Sequence, residues 1–314
     1  MESKILVEGF TFPEGPRWHD GALFVSDQYD LKVWKVTKDS EDSWVKEEVV
    51  TIPKQPSGTG WMPDGTMLIV SMLDRLLLSW DSAKGVLSEH ANLFPLASFH
   101  CNDMVVDSTG RAYVGNFGFD LHAKGFLSSL KFYTFLLLYK LLNQTHTWLL
   151  KGAELICVEP DGKARIVARD LMFPNGCVIT PDGKVLIVAE TMGARLTAFD
   201  IDEKGDLSNR RVWARLPPSG APDGICLDEA GGVWVASLTT KECIRLTEGS
   251  EGAQGVTHRV STQQPAFACM LGGPDGKTLF ICTAPSHYKE ECEKEGRRGR
   301  VEYCKVPYAR AGCP

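Results

Sequence analysis

The chain has 314 residues, 43% hydrophobic and 24% charged, a balance that supplies a large core and excludes a disordered chain. Its formal charge of -6 leaves no diffuse basic surface, so nucleic acid and anionic membranes are poor partners and small molecules are better ones. Met1 to Phe10 lacks the apolar run of a secretory signal, and ten cysteines occur without a CxxC pair or zinc-type cluster; together these point to a reducing, cytoplasmic setting, with Cys292, Cys304 and Cys313 leaving crosslinking open as a secondary alternative.

In chain order, one phrase recurs six times: a turn ending in Gly, then an alternating apolar strand finishing on a small or polar residue. The copies are His19-Asp20-Gly21 with ALFVSD, Pro63-Asp64-Gly65 with TMLIVS, Ser108-Thr109-Gly110 with RAYVGN, Pro181-Asp182-Gly183 with KVLIVAE, Glu229-Ala230-Gly231 with GVWVAS, and Pro274-Asp275-Gly276 with KTLFICT. Glycine at a turn end supplies positive φ, so each phrase reads as a hairpin. Four of the five intervals between these glycines are 44 to 48 residues and one is 73. A propeller blade takes roughly 40 to 50 residues. The pattern predicts one all-β domain over 1-314, a six-bladed β-propeller, with an insertion at about 118-151 in blade three. A β-sandwich needs no such period, and an α/β sheet needs helical spacers that are absent here. Either Lys4 to Phe10 or Arg300 to Val306 is placed to complete a shared blade and close the ring.

Superimposing the repeats puts one residue, about eight positions before each turn glycine, at the entry of every innermost strand. These residues are Glu14, Ser57, Asn102, Asn175, Asp223 and Ala268. Phe12-Pro13-Glu14-Gly15, Phe173-Pro174-Asn175-Gly176 and Ala221-Pro222-Asp223-Gly224 are variants of one loop that differ mainly in the polar residue. Each Asn or Asp alone would read as an ordinary turn residue, but Glu is a poor one. Their recurrence around a ring favours a metal site at Glu14, Asn102, Asn175 and Asp223. Two carboxylates and two amide oxygens make a hard cage for Ca²⁺ above all, with Mg²⁺, Mn²⁺ and Zn²⁺ as other options.

The phrases FPEGP, CND, FPNG and PDGI, in four different blades, resemble the gluconolactonase, regucalcin and luciferin-regenerating-enzyme family, whose relatives include diisopropylfluorophosphatase. The resemblance spans nearly the whole chain except the insertion. It implies a propeller with a catalytic divalent ion bound by Glu14, Asn175 and Asp223, and with Asn102 as fourth ligand or substrate contact. It also implies that Asp223 orients or deprotonates the attacking water. Sugar lactonases of the family usually carry Arg two residues before the Asn102 position; here it is His100, a departure that weakens the case for an aldonolactone.

The expected activity is therefore metal-dependent hydrolysis of a lactone or related ester, the ion acting as Lewis acid and water as nucleophile. His100 is a candidate proton shuttle or else a plain rim histidine. Asp103 is expected to orient its neighbours or cap a strand, and not to coordinate the ion. Asn116, Glu190 and Ser237 end second strands, on the ligand face, where they either line the pocket or contribute ordinary loop polarity. No GxSxG elbow, HExxH or P-loop occurs. The rival readings are an organophosphate-type ester hydrolase on the same site and a non-enzymatic calcium-binding or scaffold propeller.

The extra residues should emerge beside the metal site. Gly125 to Leu150 is rich in Leu, Phe and Tyr and lacks Pro, so it reads as one or two helices. Its uncharged run is far short of the roughly 20 residues that span a bilayer. A substrate lid, which would imply a lipophilic substrate, and a packing or dimer face are the leading roles, ahead of membrane contact. Oligomeric state is not legible from the sequence.

Overall fold

A computed structural model describes residues 1–40, 43–120, 152–294 and 296–312. Twenty-four strands form six four-stranded antiparallel sheets. An N-terminal strand, β1 (Lys4–Phe10), comes first. Blade one is β2 (Pro13–His19), β3 (Ala22–Asp27), β4 (Lys32–Lys38) and β5 (Trp44–Thr51), and blade two is β6 (Pro56–Trp61), β7 (Met67–Ser71), β8 (Leu76–Asp81) and β9 (Val86–Asn92). Blade three is β10 (Cys101–Val106), β11 (Ala112–Asn116), β12 (Ala153–Val158) and β13 (Ala164–Leu171). Blade four is β14 (Pro174–Ile179), β15 (Val185–Glu190), β16 (Arg195–Ile201) and β17 (Leu207–Arg215). Blade five is β18 (Pro222–Leu227), β19 (Val233–Ser237), β20 (Glu242–Leu246) and β21 (His258–Ser261), and blade six is β22 (Ala266–Gly272), β23 (Thr278–Thr283), β24 (Gly299–Lys305) and β1. This is the expected six-bladed propeller.

Both candidate closing segments take part. Strand β24 pairs with β23 as the third strand, and β1 pairs with β24 as the fourth, with Lys4 opposite Tyr303 and Phe10 opposite Gly299. The first strand of the chain thus completes the last blade. A loop-closure entropy that would otherwise separate the ends is met by backbone hydrogen bonds across the seam.

All six turn glycines lie at positive φ: 77° at Gly21, 87° at Gly65, 91° at Gly110, 71° at Gly183, 73° at Gly231 and 68° at Gly276. Inner and outer strands differ as their surroundings require. Every residue of β10, β14 and β18 is buried, because an innermost strand meets the channel and both neighbouring blades, whereas in the outer strand β5 only Val50 is buried. The core lies between blades. Leu68, Val70, Met104, Val106 and Ile156 seal blade two to blade three, and Val178, Ile187, Ile225 and Val235 seal blade four to blade five. Each such side chain contributes about 1.5 to 3 kcal/mol when fully buried.

Beyond β24 the chain crosses the channel face opposite the strand entries. Arg310 N donates to Gly276 O, Ala311 N to Leu227 O, and Arg310 Nη1 to Trp18 O, so this tail brackets blades six, five and one from below. The insertion falls between β11 and β12, second and third strands of blade three, as its spacing predicts. The helical character expected for Gly125 to Leu150 lies outside the described residues. Among the described residues no helix is long and apolar enough to cross a membrane.

Candidate metal centre

The six innermost strands β2, β6, β10, β14, β18 and β22 contact one another in sequence and close a ring around the channel. Glu14, Ser57, Asn102, Asn175 and Asp223 are each the second residue of their strand, and Ala268 is the third of β22. All are buried, with Glu14 8%, Asn102 6%, Asn175 6% and Asp223 5% exposed. Glycine follows the donor in four blades for a steric reason. A Cβ at Gly224 would stand 2.5 Å from the Ala268 Cβ, and one at Gly176 2.5 Å from Ile225 N. Neighbouring inner strands approach too closely for a side chain there.

The donors form a belt. Ser57 Oγ donates to Asn102 Oδ1 (3.3 Å), Asn102 Nδ2 to Asn175 Oδ1 (3.0 Å), and Asn175 Nδ2 to Thr191 Oγ1 (3.2 Å). Thr191 Oγ1 in turn donates to Pro222 O at 2.7 Å, beside Asp223. On the other side of the ring Glu14 Oε2 accepts from Gly15 N at 2.8 Å. Two backbone twists aim this belt: Gln55 and Phe173, each just before a proline, take φ of 67° and 60°, a costly left-handed conformation for non-glycine residues.

Burial dominates the electrostatics. It pushes the Glu14 carboxyl up to about 8, with Asp103 adding to the rise and Gly15 N and Arg17 opposing it. It likewise pushes Asp223 well above the usual carboxylate range, with the Glu14 charge as the next cause. Two desolvated carboxylates, one raised further by the charge of the other, are what a dication would neutralise. The donor set, two carboxylates with two amides, suits a hard ion such as Ca²⁺. Among the described residues no three His, Cys, Asp or Glu side chains are grouped to hold a metal; any site here depends on the two asparagines.

The remaining sequence candidates separate from this belt. His100 is half-buried, its ring 4.1 Å from Phe99 and 6.3 Å from Phe117, and its carbonyl accepts from Phe117 N. Asn116 and Glu190, expected to line the pocket, are spent inside their blades. Asn116 Nδ2 donates to Glu154 O (3.0 Å) and Oε2 (3.2 Å), and its Oδ1 accepts from Gly118 N. Glu190 is fully buried and accepts from Arg195, Thr197, Arg210 and Met172 N. Ser237 Oγ is bonded by Thr240 Oγ1 at 2.8 Å. A carboxylate closing a second strand needs cationic partners once buried, and the arginines in β16 and β17 provide them.

Sequence reading passed over Arg17. It is 3% exposed and runs across three inner strands, with Nε to Thr59 O (3.1 Å), Nη2 to Asp103 Oδ1 (2.7 Å) and Nη2 to Met104 O (2.6 Å). The signal was a charged residue inside an otherwise buried strand phrase, EGPRW, which obliges a partner. Asp103 orients its neighbours as expected, through Arg17 and Met104 N.

Two aromatic clusters flank the strand entries. Phe12 packs on Phe267 (4.8 Å) and Tyr29 (5.2 Å) at blades six and one, and Phe117 on Phe173 (4.7 Å) at blades three and four.

A six-bladed propeller with a buried polar belt at the entry of its channel defines the class. The chain belongs to the SMP-30/Gluconolactonase/LRE-like family, whose model matches residues 12–285. The chain is 26% identical over 142 residues to 6-deoxy-6-sulfogluconolactonase of Pseudomonas putida and 27% over 162 residues to diisopropyl-fluorophosphatase of Loligo vulgaris. These matches cover 45% and 50% of this chain and 48% and 50% of the relatives, so the chain spans about half the length of these curated relatives. The match to regucalcin of Danio rerio is longer, 24% identical over 279 residues, covering 86% of this chain and 82% of that protein. Among solved structures, a luciferin-regenerating enzyme superposes with a TM-score of 0.73 at 18% identity, covering 98% of this chain and 95% of that one. A gluconolactonase from Xanthomonas campestris superposes at 0.69 and 21%, covering 96% and 89%. At these identities the structural likeness speaks for the fold.

Proposed function

We propose that the chain is a divalent-cation-dependent hydrolase that opens a lactone or cleaves a related ester. The observation that carries this reading is the pair of buried carboxylates, Glu14 and Asp223, set in one ring with the amides of Asn102 and Asn175. A bound divalent ion would supply Lewis-acid polarisation of the carbonyl oxygen. Glu14, Asn102, Asn175 and Asp223 would hold it. Asp223 also orients the attacking water and takes its proton. Asn175, bonded to Asn102 and to Thr191, links the belt through Thr191 to Pro222 O, the residue before Asp223. His100, at the rim, is the candidate to return a proton to the leaving alkoxide. His100, standing where the sugar lactonases carry Arg, supports a substrate other than a polyhydroxylated sugar lactone.

The relative named diisopropyl-fluorophosphatase supports a second reading, hydrolysis of phosphoester-type substrates on the same residues, since an ion that polarises a carbonyl also polarises a phosphoryl oxygen. One experiment separates these. An aliphatic lactone, an aryl ester and a fluorophosphate are assayed after chelation and after adding back Ca²⁺, Mg²⁺, Mn²⁺ or Zn²⁺. Lactone turnover that a cation restores and that Asp223→Ala abolishes is the expected result. A cation-loaded protein that leaves every substrate at the buffer rate would make the chain a non-enzymatic propeller.

A further inference from the structure

Asp103 occupies a position that the equivalent loops give to glycine. Glu14, Ser57, Asn175 and Asp223 are followed by Gly15, Gly58, Gly176 and Gly224, whereas Asn102 is followed by a carboxylate that is 4% exposed. The neighbouring blade makes room for it: a Cβ on Gly58 would stand 2.7 Å from Asp103 Oδ1. The same Oδ1 accepts from Arg17 Nη2 at 2.7 Å and from Met104 N at 2.8 Å. Arg17 reaches it from blade one and bonds Thr59 O of blade two on the way, so its guanidinium ties together the strands that carry Glu14, Ser57 and Asn102. Two fully buried opposite charges have been placed beside a cage where a third carboxylate would bind a cation more tightly and an unpaired arginine would repel it.

We propose that Arg17 is a positioning residue that sets the charge of the cation site, holding Asp103 in an ion pair so that the ion faces two carboxylates and not three. A dication facing Glu14 and Asp223 alone is neutralised but not over-neutralised. It therefore stays exchangeable and keeps its pull on a substrate oxygen. The inference rests on the cation-site reading above.

The test measures Ca²⁺ affinity by titration calorimetry on the full chain, with thermal melting alongside, for the native protein, Arg17→Met, Asp103→Asn and the double variant Arg17→Met/Asp103→Leu. Removing one buried unit charge near the ion should shift affinity about tenfold. Arg17→Met should tighten Ca²⁺ binding, Asp103→Asn should weaken it, and the double variant should return within threefold of native. A purely structural ion pair would weaken binding in both single variants together with the melting temperature, and that result overturns the inference. If the single variants do not fold, Arg17→Lys and the double variant decide, because both keep the net charge. Affinities within threefold of native support the inference, and a loss beyond tenfold in either overturns it. A native chain that binds no divalent cation sinks the cation-site reading itself, whereas same-sign shifts in a native chain that binds Ca²⁺ sink only the role of Arg17.

Discussion

Asn102 donates its side-chain amide to Asn175 Oδ1 across 3.0 Å, although 73 residues separate them in the chain. The bond joins the inner strands of blades three and four at the level of the two carboxylates, and Asn175 passes the connection on to Thr191. Replacing Asn175 with Ala strands the buried Asn102 donor and takes away the bond that Thr191 Oγ1 accepts, while Thr191 keeps its own bond to Pro222 O. An unsatisfied buried polar group costs about 1 to 3 kcal/mol. We expect Asn175→Ala to lose about that much stability in denaturant unfolding and to bind Ca²⁺ at least about tenfold more weakly by calorimetry, an effect that Asn175→Asp should partly reverse by restoring an oxygen.

The raised carboxyl of Glu14 predicts a pH dependence with a definite sign. Between its ordinary value of 4.5 and about 8 the folded, cation-free protein holds a proton there that the unfolded chain has released. Stability then falls as pH rises through that window. Melting temperature measured in chelator should drop from pH 5 to pH 8, and saturating Ca²⁺ should flatten the slope, with its largest stabilisation at the alkaline end. A cation effect that is the same at both ends of the window would contradict this linkage.

Two glycine substitutions in blade five should behave differently. Gly224→Ala puts a Cβ 2.5 Å from that of Ala268, inside the ring of inner strands. Overpacking of this kind costs about 1 to 3 kcal/mol, and the displaced strand carries Asp223, so turnover should fall with stability. Gly231→Ala meets nothing within 4 Å and bears only the strain of φ 73°, about 1 to 2 kcal/mol. Its melting temperature should drop while KM and kcat stay native.

Glu190 offers a control on the pocket boundary. Its carboxylate is bonded by Arg195 at 2.9 and 3.0 Å and held below the usual range chiefly against its own burial by that arginine. Glu190→Ala removes the buried acceptor shared by Arg195, Arg210, Thr197 and Met172 N, a loss of about 1 to 3 kcal/mol for the buried donors left unsatisfied. Circular dichroism melts should record it. KM of the folded fraction should remain native; a specific rise in KM would return Glu190 to the pocket.

The blades were legible in the sequence because each is a local object: hairpin turns, alternating strands and a constant interval all arise within about 45 residues. The polar ring was legible for the same reason, since Glu14, Asn102, Asn175 and Asp223 hold equivalent places in a repeated phrase. Even the glycine after Glu14, Asn175 and Asp223 was visible, though its cause, the close approach of the next inner strand, was not. Partnerships between blades were out of reach. Nothing in EGPRW says that Arg17 crosses blade two to meet Asp103, and nothing in VLIVAE says that Glu190 turns toward Arg195 and Arg210 and not toward substrate. Nor does it say that β1 and β24 both enter the closing blade. Repetition along the chain sets which residues can face the axis. Which buried charges pair there depends on how adjacent sheets are rotated about it, and only the closed ring decides that.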